Sequence, residues 1–286
     1  MIEPVSRDED APRRTSRDRA AAGADGFGSP AAELRAALTM LTRLPVASGS
    51  EERTGAGAYS IVGALVGLVG LVPLVALGAA VPPVAAILAI GGITVVSGAV
   101  HLDGLADTAD ALVAAGPGGA ERARKDPAVG VGGAATLILV LGIEAASLAL
   151  LAIDASPLAA GIACVAAGAV SRGVPVILVR VARRRAPPDG LGGWFAARTT
   201  NVSVSLVVGS AAVLCLAGAF VLGSPAVLAA GGVGGIGGVT LGMGLVRTRG
   251  QLDGDLLGAG VELSFALTLV AAAAIVGGIG VGGIGR

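Results

Sequence analysis

Residues 60–80 read SIVGALVGLVGLVPLVALGAA and contain no charged side chain. A helix needs about 20 consecutive apolar residues to cross a bilayer core of about 30 Å, so this stretch predicts a membrane-spanning helix. Further stretches of similar composition follow, and together they predict an all-α polytopic membrane protein with a bundle of about seven transmembrane helices. The predicted spans are roughly 60–80, 84–100, 134–153, 158–179, 202–222, 226–246 and 264–282.

The composition of the whole chain also favours a lipid environment. Of its 286 residues, 54% are hydrophobic and 14% are charged, and the mean hydropathy is +0.84. A soluble domain carries about 25% charged residues, so this chain has too little polar surface for water. It contains 48 glycines, and small residues let membrane helices approach closely. The 20 basic and 20 acidic residues balance, which gives no indication of a nucleic-acid partner.

The N-terminal region differs from the rest of the chain. Residues 1–30 mix charged residues with Pro, Gly and Ser, a composition that predicts a disordered tail without the apolar core of a signal peptide. Residues 31–286 are predicted to form the transmembrane helical domain. Its first segment, Ala31–Leu44, has apolar residues at helical spacing but is too short and too charged to span. We therefore expect a short helix lying at the membrane interface.

Basic residues that follow the N-terminal region, apart from Arg172 and Arg286, are confined to alternate connections between the predicted spans. Pro82–Pro83, Asp154–Pro157 and Gly223–Pro225 contain no Lys or Arg, whereas the other connections and the N-terminal region do. Positively charged loops remain in the cytoplasm, so we expect a multi-pass membrane protein with a cytoplasmic N-terminus and an active site formed by cytoplasmic loops. The predicted cytoplasmic loops are His101–Gly133, Val181–Asn201 and Arg247–Leu263.

An aspartate-rich segment, His101-Leu-Asp-Gly-Leu-Ala-Asp-Thr-Ala-Asp110, follows the second predicted span. Its carboxylates, Asp103, Asp107 and Asp110, are spaced i, i+4 and i+7 and would share one face of a helix. Three carboxylates on one stripe repel each other unless they are solvated or share a cation. Carboxylate oxygens suit Mg²⁺ or Mn²⁺, which in turn bind phosphates. The pattern predicts a divalent metal site, with a solvated amphipathic helix as the alternative.

Other polar residues lie near the ends of the predicted spans. Asp255 and Glu262 are seven residues apart and would share a helix face before the last span. Arg172 lies inside the fourth span, where an arginine is by default functional, with snorkelling to the interface as the alternative. His101 is the single histidine of the chain and is either structural or a site residue.

These residues occur in the order and spacing of a known family. The chain resembles the cobalamin synthases, also called adenosylcobinamide-GDP ribazoletransferases, over most of residues 34–270. The aspartate-rich segment is similar to the family signature almost residue for residue. The other matching elements are Leu41–Val46, Lys125-Asp126 with Gly130, Ser171-Arg172, Gly190–Gly192, and Gly254-Asp255 through to Glu262.

The chain departs from the family pattern at three points. Pro127-Ala128 stands where the family usually has Ser-Arg, so an arginine that could contact phosphate is missing. Tyr59-Ser60 replaces a Phe-Pro pair at the entry to the first span, and Asp253 replaces a threonine before Gly254. None of the three changes touches the aspartate stripe.

The resemblance implies an enzyme that joins adenosylcobinamide-GDP to α-ribazole, or to its 5′-phosphate, and releases GMP in the last steps of cobalamin assembly. It implies Mg²⁺, or Mn²⁺, as cofactor and lipid as surroundings, and it leaves open a homo-oligomer or a complex with other enzymes of the pathway. The implied metal ligands are Asp103, Asp107, Asp110, Asp126 and Asp255, and the implied catalytic residues are Asp110 as proton acceptor with Lys125 and Arg172 on phosphate. The implied substrate contacts are His101, Arg43, Gly130 and Glu262.

Two other functions share some of these features. CDP-alcohol phosphotransferases also carry spaced aspartates on membrane helices, in a pattern like Asp-Gly-x-x-Ala-Arg, but here the position after Ala106 is Asp107 and not arginine. A cation-coupled secondary transporter would place its acidic residues near the middle of the bilayer, in broken helices. The sequence instead predicts them at helix ends, which favours the enzyme.

Overall fold

The computed structural model describes residues 29–46, 53–114, 118–119 and 128–281, and these residues form α-helices and connections without any β-strand. The ten α-helices of the described residues are α1 Pro30–Leu41, α2 Tyr59–Leu77, α3 Pro82–Ser97, α4 Val100–Val113, α5 Val131–Asp154, α6 Pro157–Val181, α7 Leu191–Arg198, α8 Asn201–Leu222, α9 Ala226–Arg249 and α10 Gly254–Val281. Short 3₁₀ turns at Ala56–Ala58 and Arg183–Arg185 precede α2 and follow α6.

Six helical segments of the described chain are long and apolar enough to cross a membrane: α5, α6, α8, α9, most of α10, and α2 together with its preceding 3₁₀ turn. A seventh crossing is obtained if the bent pair of α3 and α4 is counted as one span. The prediction of an all-α polytopic membrane protein is therefore confirmed, with six or seven crossings.

The second predicted span, 84–100, is wrong at its C-terminal end. α3 has 16 residues and ends at Ser97, because Gly98 and Ala99 have left-handed backbone angles, with φ of +65° and +57°. A right-handed helix cannot continue through such residues. The chain therefore turns by 95° and continues as α4, so the aspartate-rich segment lies in a separate helix, as the spacing of its aspartates predicts.

The last predicted span, 264–282, starts too late. α10 begins at Gly254, because the Asp253 side chain accepts a hydrogen bond from the Leu256 N–H (3.1 Å) and caps the first turn. Asp255 and Glu262 therefore lie within the last helix and not in the connection before it. Threonine is also a capping residue, so the replacement of the family's threonine by Asp253 preserves this function.

The predicted interfacial helix is present as α1, but it starts at Pro30 and ends at Leu41. Ser29 caps it, since its hydroxyl accepts a hydrogen bond from the Ala32 N–H at 3.3 Å. After Thr42 the chain is extended, and the Arg43 N–H donates to the Val96 carbonyl at 2.8 Å, which ties this segment to the end of α3. The predicted disordered tail lies almost wholly outside the described residues, which begin at Ser29.

Small residues bring the helix backbones together around α6, most of which is buried. A Cβ atom at Gly67 of α2 would lie 2.7 Å from the Val165 Cα of α6, so this crossing excludes any side chain there. In the α9–α10 pair the Ser264 hydroxyl donates to the Gly234 carbonyl at 2.9 Å. Backbone approach and hydrogen bonds between helices hold a bundle together where lipid provides no hydrophobic drive.

Candidate active site

The bend between α3 and α4 determines where the aspartate-rich helix points. Within the described residues Ala99 is the one non-glycine residue with a positive φ, a conformation that costs an L-residue about 1–2 kcal/mol. The exposed Arg43 side chain lies against Gly98. A Cβ atom built on Gly98 would lie only 2.8 Å from the Arg43 Cδ, which is too close for a side chain. Arg43, an implied substrate contact, is thus located at the start of α4.

α4 crosses α10 with its backbone in direct contact. A Cβ atom on Gly104 would lie 2.8 Å from the Asp255 carbonyl oxygen and 3.0 Å from its Cα. On the other side of the crossing, a Cβ on Gly258 would lie 3.2 Å from the His101 Cα. The two glycines therefore allow the approach, which brings the Asp255 backbone against Gly104, the residue that follows Asp103 on α4.

The carboxylates of the stripe differ in exposure. Asp103 is exposed, whereas Asp107 and Asp255 are half-buried. We call these three residues the acidic face. No set of three or more His, Cys, Asp or Glu side chains within the described ranges is arranged to hold a metal ion by itself. The donor chemistry nevertheless fits Mg²⁺, which is usually held by one or two carboxylates together with substrate phosphates and water.

Asp110 has a partner that the sequence did not predict. Its two carboxylate oxygens accept hydrogen bonds from the backbone N–H groups of Gly130 (2.7 Å) and Gly133 (2.8 Å). These groups form the N-terminus of α5, where unpaired N–H groups and the helix dipole favour a negative charge. Asp110 therefore joins the end of α4 to the start of α5, and the Gly130 N–H, an implied substrate contact, is directed at this carboxylate.

Three further predicted site residues, Arg172, His101 and Glu262, are buried in the interior of the bundle. Arg172 is only 2% exposed, so it does not snorkel to the interface. Its Nη1 donates to the Ser171 hydroxyl at 2.9 Å, and its guanidinium carbon lies 5.4 Å from the centre of the Phe265 ring, a cation–π contact. The His101 Nδ1 lies 3.9 Å from the Glu262 Oε1. Both side chains are buried.

Glu144 of α5 is a fourth member that the sequence analysis missed. It is 1% exposed and lines one small cavity together with Arg172 and Glu262. A sequence signal was available, because Glu144 lies in the middle of the predicted span 134–153, and an ionisable residue inside a span is a functional candidate. We call Glu144, Arg172, Glu262 and His101 the buried cluster.

The remaining predicted site residues, Lys125 and Asp126, lie outside the described residues.

The basic connection between α6 and α7 lies within the described residues. Its turn at Arg183–Arg185 packs beside the start of α10, since the Leu252 N–H donates to the Arg185 carbonyl at 2.8 Å. All three of these arginines are exposed. Arginines and the acidic face therefore lie at the same end of the bundle.

Comparison with known proteins gives a consistent result. The profile of the family described as cobalamin-5-phosphate synthase matches residues 33–273. An adenosylcobinamide-GDP ribazoletransferase of Bradyrhizobium diazoefficiens is 34% identical over 266 residues, which cover 88% of this chain and 97% of the relative. Proteins of the same name from Shigella dysenteriae and Citrobacter koseri are each 32% identical, over 82% of this chain and 97% of theirs. No solved structure matches the chain.

Proposed function

The chain belongs to the cobalamin-5-phosphate synthase family, and from that premise we propose how its acidic face serves the reaction. The protein is an adenosylcobinamide-GDP ribazoletransferase of cobalamin nucleotide loop assembly. In this reaction a hydroxyl of α-ribazole, or of its 5′-phosphate, attacks the corrinoid-linked phosphorus of the diphosphate. The bond from that phosphorus to the bridging oxygen breaks, and GMP leaves.

The chemical demand of this step is to neutralise the diphosphate and to hold the attacking hydroxyl in line with the leaving oxygen. We assign the first task to the carboxylates of Asp103 and Asp107, one helical turn apart on α4, together with Asp255 at the start of α10. These carboxylates would hold Mg²⁺, which would supply Lewis-acid charge neutralisation on the diphosphate oxygens. Two carboxylates with substrate phosphates are a sufficient ligand set for this ion.

The supporting observation is the glycine crossing of α4 and α10. Gly104 and Gly258 let the two helices touch at Asp255 and His101, so the backbone segments that carry Asp103 and Asp255 adjoin one another although they lie far apart in the chain. Such a crossing holds the acidic face on rigid helices, which positions ligands better than loops do. We assign Asp110 a structural function. Its hydrogen bonds to two N–H groups hold the start of α5 against α4. They also fix the C-terminal end of the connection that carries Lys125 and Asp126.

The test is turnover of adenosylcobinamide-GDP and α-ribazole by membranes that contain the protein. We expect chelation with EDTA to abolish product formation and Mg²⁺ or Mn²⁺ to restore it. Asp103→Asn and Asp107→Asn should each lower kcat at least a hundredfold while membrane insertion is retained. Asp154→Asn is the matched control, because Asp154 is an exposed aspartate at the opposite end of α5. Parental turnover in either α4 variant would refute the assignment.

We also propose that the acidic face lies at the cytoplasmic side of a bacterial inner membrane. This proposal is supported by the exposed arginines at the same end of the bundle, because positive charge is retained in the cytoplasm. Arg184→Cys and Asp154→Cys provide reporters at the two ends, and the native Cys164 and Cys215 are buried. A membrane-impermeant maleimide should label the first variant only in inverted vesicles and the second only in spheroplasts. The reverse pattern would contradict the orientation.

A further inference from the structure

The buried cluster lies apart from the acidic face but connects the same helices. His101 is two residues before Asp103 on α4, and Glu262 is seven residues after Asp255 on α10. The contact between His101 and Glu262 (3.9 Å) therefore joins the two helices that carry the acidic face. Arg172 from α6 and Glu144 from α5 complete the cluster, so four helices meet in it.

Some buried polar atoms of this cluster could form hydrogen bonds that they do not make with other protein atoms. Within the described residues the His101 Nδ1, the Glu144 Oε1 and the Arg172 Nε are buried and lack a hydrogen-bond partner. Glu144, Arg172 and Glu262 line one cavity of about 10 Å³, which is about the space that one bridging water needs. Buried polar groups without hydrogen bonds are costly, and one water in this cavity would connect Glu144 with Arg172 and Glu262.

The shared cavity connects Glu144 to the rest of the cluster. Glu144, Arg172 and Glu262 all line it, so a single group in the cavity can contact all three side chains. Removing the oxygen acceptor of Glu144 would leave buried polar atoms of the neighbouring side chains without a possible hydrogen-bond partner, which is costly. A change at Glu144 should therefore be transmitted through Arg172 to Glu262, and from Glu262 to His101 and α4.

We propose that Glu144 is a positioning residue for the transfer reaction, acting through Arg172 and Glu262 to hold α4, and with it Asp103 and Asp107, in register with α10. The proposal rests on the assignment of the acidic face as the reaction site. Glu144 does not touch substrate in this scheme. A displacement of about 1 Å at a reacting centre can lower a rate by about a hundredfold. A residue such as Glu144, which does not touch the substrate, can therefore change the rate by shifting α4.

The experiment compares Glu144→Leu, which removes the interaction, with Glu144→Gln, which keeps an oxygen acceptor of the same size. We expect Glu144→Leu to lower kcat at least tenfold with little change in KM, and Glu144→Gln to remain within threefold of the parent. Ser147→Ala is the matched control, since Ser147 is buried one turn away on α5 and bonds only to the Ile143 carbonyl of its own helix (2.8 Å). Rates are normalised to folded enzyme, so a merely structural function would leave kcat unchanged.

A distance measurement reports the register of α4 directly. Nitroxide labels at Leu112→Cys on α4 and Thr248→Cys at the end of α9 occupy exposed positions, and their distance distribution should broaden in Glu144→Leu but not in Glu144→Gln. If the leucine variant does not insert, Glu144→Asp replaces it: this change withdraws the carboxylate by one methylene and should lower kcat at least threefold. Parental kcat, an equal loss in the glutamine variant, or an unchanged distance distribution would each overturn the proposal.

Asp103→Asn, measured in parallel, separates this proposal from the one on which it rests. An inactive Asp103→Asn with a fully active Glu144→Leu would overturn only the positioning function of Glu144. A fully active Asp103→Asn would remove the acidic face as the reaction site, and the positioning proposal would fall with it.

Discussion

Gly104 is the position at which a single methyl group tests whether the contact between α4 and α10 controls catalysis. In Gly104→Ala the new Cβ would lie 2.8 Å from the Asp255 carbonyl oxygen and 3.0 Å from the Asp255 Cα. Both atoms belong to the backbone of α10, so neither can rotate away. The methyl group can be accommodated only if α4 moves relative to α10.

The size of that movement follows from the contact distances. Ordinary van der Waals contact begins at 3.4 Å, and carbon atoms prefer separations of about 3.5–4.0 Å, so the helices must separate by about 0.5–1 Å. Forcing an extra methyl group into a packed contact costs about 1–3 kcal/mol of stability. A displacement of that size at the acidic face should lower kcat by about tenfold to a hundredfold.

The assay is the initial rate of corrinoid product formation in membranes, together with unfolding in detergent followed by the fluorescence of Trp194, the single tryptophan. Gly142→Ala on α5 is the control, because a Cβ there meets nothing within 4 Å and alanine should stabilise the helix by about 0.5–1 kcal/mol. The two substitutions are chemically identical and should have opposite effects on stability. A Gly104→Ala enzyme with parental rate and parental unfolding temperature would refute the reasoning.

Three further outcomes are expected. Ala99→Gly should raise the unfolding temperature, because relief of about 1–2 kcal/mol of left-handed strain exceeds the roughly 0.5–1 kcal/mol that glycine costs in backbone entropy; a lower unfolding temperature would contradict this. Asp110→Ala should destabilise the protein by about 1–2 kcal/mol in denaturation experiments, since two N–H groups at the start of α5 lose their acceptor. Arg43→Ala should raise the KM for adenosylcobinamide-GDP about tenfold if its guanidinium binds phosphate, whereas Arg35→Ala, an exposed arginine of α1, should not.

The spans and the aspartate helix could be predicted because each depends on a local property of the sequence. Apolar length alone determines a spanning helix, so six segments were located to within a few residues of their bounds, the start of the last one excepted. The i, i+4, i+7 spacing of Asp103, Asp107 and Asp110 predicted a shared helix face, and α4 is a continuous helix. The resemblance to a family provided the reaction, which composition and periodicity could not.

The missed features depend on contacts between distant residues. Nothing local marks Ala99 as left-handed, so the 95° bend was not predicted. The partners of Asp110 lie 20 and 23 residues further along the chain, and a spacing argument on α4 alone cannot find them. Glu144 was not predicted as a site residue, although an acidic residue in the middle of a span is itself a signal of function.

The resemblance implies an arginine near phosphate in the pair that Pro127-Ala128 replaces. If that arginine neutralises the diphosphate in the family, this chain needs another cation there. Two elements bring exposed arginines to the helices of the acidic face. Arg43 lies over Gly98 at the start of α4, and its backbone is fixed by the hydrogen bond to Val96 (2.8 Å). The turn at Arg183–Arg185 is fixed against the start of α10 through Leu252 (2.8 Å). Because both backbones are anchored, an arginine from either element can bind an anion with little loss of backbone entropy, and loss of one arginine in this chain need not abolish the reaction.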